Sequence, residues 1–136
     1  MIRRLIILLL MVGSLIISCA TTESKYIDRT GTYTHTSILL YETTECSGNP
    51  TEMINEYIET NNIVELPIAI LNSDGSLEWI VDGTTSIGIW TQDDNNTSTL
   101  SLDNENLTIT FIENGFYYIM IELDLCSKTI YTKVNP

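Results

Sequence analysis

Apolar and polar residues alternate with a period of two along most of the chain after Gly31. This period is typical of strands that bury one face. Turn residues separate the runs, and Asp82-Gly83 and Asn114-Gly115 are strong hairpin signals. The pattern predicts eight strands, over residues 32–43, 63–71, 77–81, 86–92, 97–103, 107–111, 116–125 and 128–134.

Residues 49–52 interrupt this pattern with the sequence Asn-Pro-Thr-Glu, which resembles a capping box with proline at the first helical position. Ile54, Tyr57 and Ile58 follow at helical spacing. We therefore predict a short helix over residues 50–60, after the first strand and across one end of the sheet. The edges of a sheet must be paired or guarded, and a meander with an even number of strands pairs them by closing into a barrel. We therefore predict an all-β fold, an eight-stranded antiparallel up-and-down barrel.

The first 18 residues follow a different pattern, with Arg3 and Arg4 ahead of an apolar run over residues 5–17. The run ends in Ile16-Ile17-Ser18-Cys19, the lipobox of a bacterial lipoprotein signal peptide. The alternatives are an ordinary secretory signal and an uncleaved anchor. The run is shorter than the ~20 residues that span a bilayer, and Ile16 is bulky where an ordinary signal peptidase favours a small residue. We therefore predict cleavage before Cys19 and lipidation of its sulfur and its new amine.

This prediction sets the domain organisation and the location of the protein. Residues 1–18 form the signal peptide, residues 19–30 a polar flexible tether, and residues 31–136 one barrel domain. Two or three acyl chains hold a protein firmly on a membrane, so we predict a lipid-anchored protein of the bacterial cell envelope. Ala20 follows the cysteine where aspartate would signal retention, which favours the outer membrane in a diderm host.

The chain is strongly acidic, with 6 lysines and arginines against 18 aspartates and glutamates and a net charge of −12. Cleavage removes two arginines and no acid, which leaves 4 basic against 18 acidic residues and a net charge of −14. Such a surface repels nucleic acid, and we exclude nucleic-acid binding.

Residues 93–96, Asp-Asp-Asn-Asn, could hold Ca²⁺ but lack the ligand spacing of an EF-hand. We predict a polar hairpin turn there, with no metal site and no cofactor.

The cysteines predict one disulfide. Lipidation uses Cys19 and leaves Cys46 and Cys126 as an even pair in an exported, oxidising compartment. A bridge between them would close a loop of about 80 residues and stabilise the fold by ~4.5 kcal/mol on the chain-entropy estimate. A metal site is the alternative, but two cysteines and one histidine do not complete a ligand set.

Few residues can carry catalysis. His35 is the only histidine and lies in the first predicted strand on the same side as Tyr33, Ser37, Leu39 and Tyr41. It could act as a general base, although a hydrogen-bonded structural histidine is the more common case. Motifs for a serine nucleophile, a phosphate loop or a zinc protease are absent from the sequence. Paired carboxylates as in glycosidases cannot be singled out among 18 acids. We predict that the protein is not an enzyme.

Several short motifs recur at the positions expected in one known family. They are Gly31-Thr32-Tyr33 at the first strand, Cys46 after it, the Asp74-Gly75 turn ahead of Trp79, Gly88 with Trp90, and Tyr131-Thr132-Lys133-Val134 at the end. In these features the mature chain resembles the small bacterial lipocalin-like lipoproteins, over most of residues 31–134. The resemblance implies an eight-stranded antiparallel barrel that can hold a small apolar molecule without catalysis. It also implies that Lys133 packs over Tyr33.

The predicted strands define an inward set of side chains without an acid or a lysine. Its members are Leu77, Trp79, Val81, Leu107, Ile109, Phe111, Ile119, Ile121 and Leu123. An enclosed ligand would therefore be mainly apolar. The candidate ligand-binding residues are Tyr33, His35, Trp79, Phe111, Ile119 and Ile121. Trp90 has the opposite parity to Ile87 and Ile89, so it faces outward or caps the rim.

Two function classes remain open, both for a monomer. The first is a lipid-anchored binding module that holds a small hydrophobic molecule in its barrel. The second is a structural or interaction protein with a solid barrel, whose aromatic residues only fill the core and whose acidic surface contacts another envelope or host protein. A continuous apolar cavity of a few hundred Å³ that opens to solvent would favour the first.

Overall fold

The structure is a computed structural model that describes residues 27–135. The predicted signal peptide, the lipidation site Cys19 and most of the predicted tether lie outside the described residues. The elements are β1 Gly31–Tyr41, β2 Thr51–Glu52, α1 Ile54–Asn61, β3 Ile68–Leu71, β4 Ser76–Val81, β5 Thr84–Gln92, β6 Thr97–Leu102, β7 Glu105–Ile112, β8 Gly115–Glu122 and β9 Leu125–Lys133.

Eight of these strands form the closed antiparallel barrel that the sequence predicts. Strands β3 to β9 pair consecutively, each with the next. Strand β1 closes the barrel, since it pairs with β3 from Gly31 to Thr34 and with β9 from Tyr33 to Tyr41. The ninth strand, β2, is an addition that pairs only with Leu39 and Leu40 of β1.

The meander gives the barrel two different ends. At one end, which we call the tether end, lie the start of β1 and the finish of β9. The β3–β4, β5–β6 and β7–β8 turns are at the same end. At the other, the disulfide end, are the β4–β5, β6–β7 and β8–β9 turns. The Cys46–Cys126 disulfide lies there too, with Cα atoms 5.2 Å apart, because Cys126 is the second residue of β9. The predicted disulfide is therefore present in the fold.

Aromatic rings fill the barrel at the tether end. Phe116 stacks on Tyr131 with ring centroids 5.0 Å apart, and Tyr33 lies 5.0 Å from Phe116. The Arg29 guanidinium covers the ring of Phe111 at 4.7 Å, and the Tyr33 hydroxyl donates to the Arg29 carbonyl at 2.6 Å. The interior is therefore sealed at this end by ring packing and by a residue that precedes β1.

Lys133 lies over the first-strand aromatic ring, as the family resemblance implies. Its Nζ is 5.8 Å from the centroid of Tyr33, within the range of a cation–π contact. Gly31 makes this approach possible, because a Cβ at that position would lie 2.7 Å from Lys133 Cε. Gly31 also has a φ of +140°, a conformation that residues with a side chain rarely adopt.

The helix begins later than the sequence predicts. Residues 50–53 were expected in its first turn, but Thr51 and Glu52 form β2 instead. Helix α1 starts at Ile54, and its N-cap residue Met53 makes no side-chain capping bond. The Glu52 carboxylate accepts hydrogen bonds from the backbone N–H groups of Ile38 and Ile54 at 3.0 Å each. The predicted capping box is wrong because this segment pairs with the free edge of β1.

A β-bulge changes which face of β1 points inward. His35 pairs with Tyr131 and Ser37 pairs with Ile130, so Thr36 is the extra residue. Beyond the bulge Ile38 pairs with the buried Thr129. Ile38 therefore faces the interior, and Ser37, Leu39 and Tyr41 do not share the face of His35 as expected. The Tyr57 ring of α1 contacts the His35 ring, with centroids 5.4 Å apart, which places the helix on the inner side of β1.

The predicted parity of β8 is wrong. Phe116 is fully buried, whereas Ile119 and Ile121 are 44% and 57% exposed on the outer face. The predicted strand over residues 116–125 extends too far. Strand β8 ends at Glu122, a turn follows at Leu123-Asp124, where both residues have positive φ, and β9 already begins at Leu125. Apolar residues occupy both faces of β8, so a period of two cannot select the buried one, and the rings of Phe116 and Tyr118 take the interior.

The second predicted strand is shorter than expected. It was predicted from residue 63, but β3 begins at Ile68, and Val64 is 90% exposed. Pro67 precedes β3 and has no N–H to donate, although its carbonyl accepts from the His35 backbone N–H at 2.9 Å. Extended pairing on this side therefore starts only after the proline.

We predict that reduction of the Cys46–Cys126 disulfide lowers the free energy of unfolding by up to ~4.5 kcal/mol, since it releases a long loop in the unfolded chain. Urea denaturation with and without reductant would measure the loss. A Cys46→Ser/Cys126→Ser variant should show the reduced stability and no further response to reductant. Two labelled thiols in the native, unreduced protein would contradict the bridge.

Candidate ligand-binding cavity

The interior is hollow at the disulfide end. A cavity of about 310 Å³ opens to solvent there. Its lining is mostly apolar and comes from four strands, β4, β6, β7 and β8. The apolar members are Leu77, Trp79, Leu100, Leu102, Leu107, Tyr118 and Met120. The polar members come from the β6–β7 turn and the start of β7, and they are Asp103, Glu105 and Asn106.

The cavity lies beside a gap in the barrel wall between β7 and β8. Strands β7 and β8 pair only at Thr110↔Tyr117, Phe111↔Phe116 and Ile112↔Gly115, near the tether end. Strand β7 pairs with β6 as far as Glu105, and β8 pairs with β9 as far as Glu122. Residues 105–109 and 118–122 therefore face each other without a ladder between them. We call this opening the β7–β8 gap.

The floor of the cavity is the aromatic core. Leu77 and Leu100 are fully buried, and Trp79 meets the Tyr131 ring edge to face at 5.2 Å. Tyr118 lies 6.4 Å from the same ring, and burial raises the pKa of its hydroxyl above the ordinary tyrosine value. Trp79 thus joins the packed half of the barrel to the hollow half and is placed to report on what occupies the cavity.

Of the six candidate ligand-binding residues, only Trp79 lines this cavity. Tyr33 and Phe111 belong to the sealed core at the tether end, where burial raises the pKa of Tyr33 to about 12. Ile119 and Ile121 lie on the outer face. Trp90 packs against the core and donates from Nε1 to the Asn72 carbonyl at 2.8 Å. It pairs with the buried Leu100, so it does not face outward.

Part of the cavity lining was predicted from the sequence. Leu77, Trp79 and Leu107 were in the predicted inward set. Tyr118 and Met120 were missed because the wrong face of β8 was chosen. Asp103 was placed at the end of the predicted strand over residues 97–103, and Glu105 lay outside every predicted strand. No sequence signal marks either residue as part of a cavity rim.

His35 is buried in the interior but outside the cavity lining. It stacks on Tyr131 with centroids 5.0 Å apart and is only 3% exposed. Neither ring nitrogen has a hydrogen-bond partner of ordinary geometry within residues 27–135. Burial lowers the pKa of His35, and it outweighs the opposing effects of the Ser37 backbone and the Glu52 carboxylate. A neutral histidine held by aromatic rings fits a packing role.

The segment proposed as a Ca²⁺ alternative is the β5–β6 turn. The Asp94 carboxylate accepts from the backbone N–H groups of Asn96 and Thr97 at 2.6 and 2.7 Å, and these bonds lower its pKa. The described part of the chain holds no group of three or more histidine, cysteine, aspartate or glutamate residues arranged to bind a metal.

Among residues 27–135 no helix has the length and apolar character needed to cross a membrane.

Comparisons of this chain with protein-family models, with curated proteins and with solved structures find no match.

We predict that His35 makes stability fall as the pH drops from 7.5 to 5. Its pKa is lower in the folded protein than in the unfolded chain, where it is ~6.5. Between these two pKa values the unfolded state binds more protons, so acid favours unfolding. The free energy of unfolding, measured by urea at several pH values, should lose most of this slope in a His35→Phe variant.

The carboxylates provide an internal control for this experiment. The pKa values of Asp74 and Asp94 are lowered by hydrogen bonds to Ser76 and to Asn96 and Thr97. Their contributions are lost only as the pH falls below ~4. Wild type and His35→Phe should therefore share the steep decline below pH 4. An unchanged slope between pH 7.5 and 5 in the variant would contradict the role given to His35.

Proposed function

We propose that the protein is a lipid-anchored lipoprotein of the bacterial cell envelope whose lipocalin-like barrel binds a small apolar ligand without catalysing a reaction. The observation that carries this proposal is the cavity of about 310 Å³. Small-molecule sites measure roughly 300–1,000 Å³ and have mainly apolar walls with a few polar groups. The cavity at the disulfide end has these properties.

The arrangement of the two barrel ends supports the same proposal. The described chain enters at the tether end, where Arg29 and the aromatic core seal the interior. The cavity opens at the opposite end and along the β7–β8 gap. A lipid on Cys19 would therefore attach through the sealed end and leave the opening free to receive a ligand. The protein would act as a monomer in this role, since one chain closes the barrel.

A second candidate function rests on apolar side chains on the outer wall. Ile87 and Ile89 of β5 are 65% and 59% exposed and lie on one face of that strand. Ile119 and Ile121 form a second exposed pair on β8, which β6 and β7 separate from β5. Clustered exposed apolar residues mark protein-interaction surfaces. These side chains favour the alternative of an interaction protein that contacts another envelope or host protein.

We predict that decanol, a neutral single-chain molecule, changes the emission of Trp79 saturably. A Trp90→Phe variant leaves Trp79 as the only tryptophan and makes the signal specific. Leu102→Phe places a larger side chain in the cavity, so that the bound ligand and the ring compete for the same volume. Overpacking of this kind costs ~1–3 kcal/mol, and binding should weaken by about tenfold.

Ile87→Phe is the matched control for this experiment. It makes a comparable enlargement on the outer face, where Ile87 is 65% exposed, and should leave decanol binding unchanged. Emission that does not respond to decanol, or that responds equally in both variants, would reject the cavity as the ligand site.

We predict that Cys19→Ala abolishes lipid attachment, because Cys19 is the cysteine that follows the lipobox and Cys46 and Cys126 are joined in the disulfide. Mass spectrometry of the wild-type protein purified from bacterial membranes should show an acylated N-terminal cysteine. The variant should remain as precursor or appear in the soluble fraction. An unlipidated mature N-terminus in the wild type would refute the anchor and leave the cavity experiment unaffected.

A further inference from the structure

We propose that the cavity selects a cationic amphiphile, a single apolar chain that ends in an ammonium group, over neutral or anionic molecules with the same chain. This inference rests on the proposed function and specifies the class of ligand. It follows from where the charges of the described chain lie relative to the cavity.

Among residues 27–135, the charged groups on the cavity lining are the carboxylates of Asp103 and Glu105. Asp103 belongs to the two-residue β6–β7 turn, and Glu105 is the first residue of β7, directly across from Leu102. Both side chains are exposed at the mouth, while the deeper lining is apolar. A ligand with its chain against Leu77 and Trp79 would place its polar end beside these two carboxylates.

No basic side chain of residues 27–135 neutralises this rim. Arg29 and Lys133 lie at the tether end, over the rings of Phe111 and Tyr33. Lys128 lies on the outer wall with its Nζ 3.9 Å from the ring centroid of Tyr117. All three described cations therefore contact aromatic rings away from the mouth. Acidic residues occupy the other turns of the disulfide end, at Asp82 and Asp124.

These charges determine which head-group charge the cavity favours in a ligand. An ammonium group at the mouth is attracted by two carboxylates, a hydroxyl is nearly indifferent to them, and a carboxylate is repelled. Each exposed pair of opposite charges contributes little, because water screens it. Replacing an ammonium head group by a carboxylate changes attraction into repulsion at both rim carboxylates. This corresponds to a difference in Kd between the two ligands on the order of tenfold at low salt. The strongly negative chain also raises the local concentration of cations and depletes anions.

The volume limits the length of the chain. An engineered cavity of about 150 Å³ holds one benzene, and this cavity measures about 310 Å³. It therefore accommodates an apolar part of on the order of ten heavy atoms, by proportion to that case. A decyl chain with its head at the rim matches this size.

The test compares three probes that share a decyl chain: decyltrimethylammonium, decanol and decanoate. The two ionic probes are titrated below their micelle concentrations, and decanol below its solubility limit, into the Trp90→Phe protein at pH 8 and low ionic strength. The emission of Trp79 gives each Kd. We expect decyltrimethylammonium to bind about tenfold more tightly than decanoate, with decanol between them. Added salt should reduce this difference, because exposed charges are screened.

The deciding variant is Asp103→Asn/Glu105→Gln, which removes the rim charge with little change of shape. Asparagine tolerates the positive φ of position 103. The three probes should then bind with nearly equal affinity. The control is Asp93→Asn/Glu113→Gln, which makes the same change of net charge in two exposed residues at the tether end. This control should keep the preference, which excludes general attraction of cations to an acidic protein.

The outcomes separate this inference from the proposed function. If the protein with Asp103 and Glu105 intact binds all three probes equally, or binds decanoate most tightly, the cation selectivity is overturned. The proposal of apolar binding is then unaffected. A preference that both double variants lose equally would assign it to net charge and would also overturn the inference. Failure of every probe to change Trp79 emission would reject the proposed function together with the inference.

Discussion

Closure of the barrel by the first and last strands is the constraint on which the rest of the structure depends. β1 pairs with β9 from Tyr33 to Tyr41, and this ladder satisfies the backbone groups that an open sheet would leave at its edges. Closure also divides every strand into an inner and an outer face. The Cys46–Cys126 disulfide lies at the end of this ladder, where Cys126 pairs with Tyr41, and it ties the loop after β1 to the strand that closes the barrel.

The interior is filled unevenly because side-chain size changes along the barrel axis. At the tether end, rings of Tyr33, Phe111, Phe116 and Tyr131 meet at centroid distances of 5.0–6.5 Å. At the disulfide end the facing residues are mainly leucines, and the β7–β8 ladder stops after three pairs. An eight-stranded barrel is just wide enough to be filled or to hold one small ligand. Here one half is filled and the other is hollow.

Polar groups follow the same division between the two ends. Arg29 and Lys133 cover aromatic rings at the sealed end, while the rim of the hollow end carries carboxylates. The buried polar ring of His35 lies between the two halves, stacked on Tyr131 and in contact with Tyr57 of α1. The sealed end therefore holds two of the three described cations, Arg29 and Lys133. The open end has an acidic rim around an apolar interior.

The sequence by itself determined the all-β class, the meander, the closed barrel of eight strands and the Cys46–Cys126 disulfide. These features depend on local alternation, turn residues and cysteine parity, which one chain displays directly. Only the tertiary structure decided which face of β8 is buried, because both faces are apolar and the choice depends on how Phe116 fits against Tyr131. It also decided that Thr51 and Glu52 join β1 as a strand. The β7–β8 gap and its acidic rim arise from strands that diverge in space, and no local pattern in the sequence encodes that divergence.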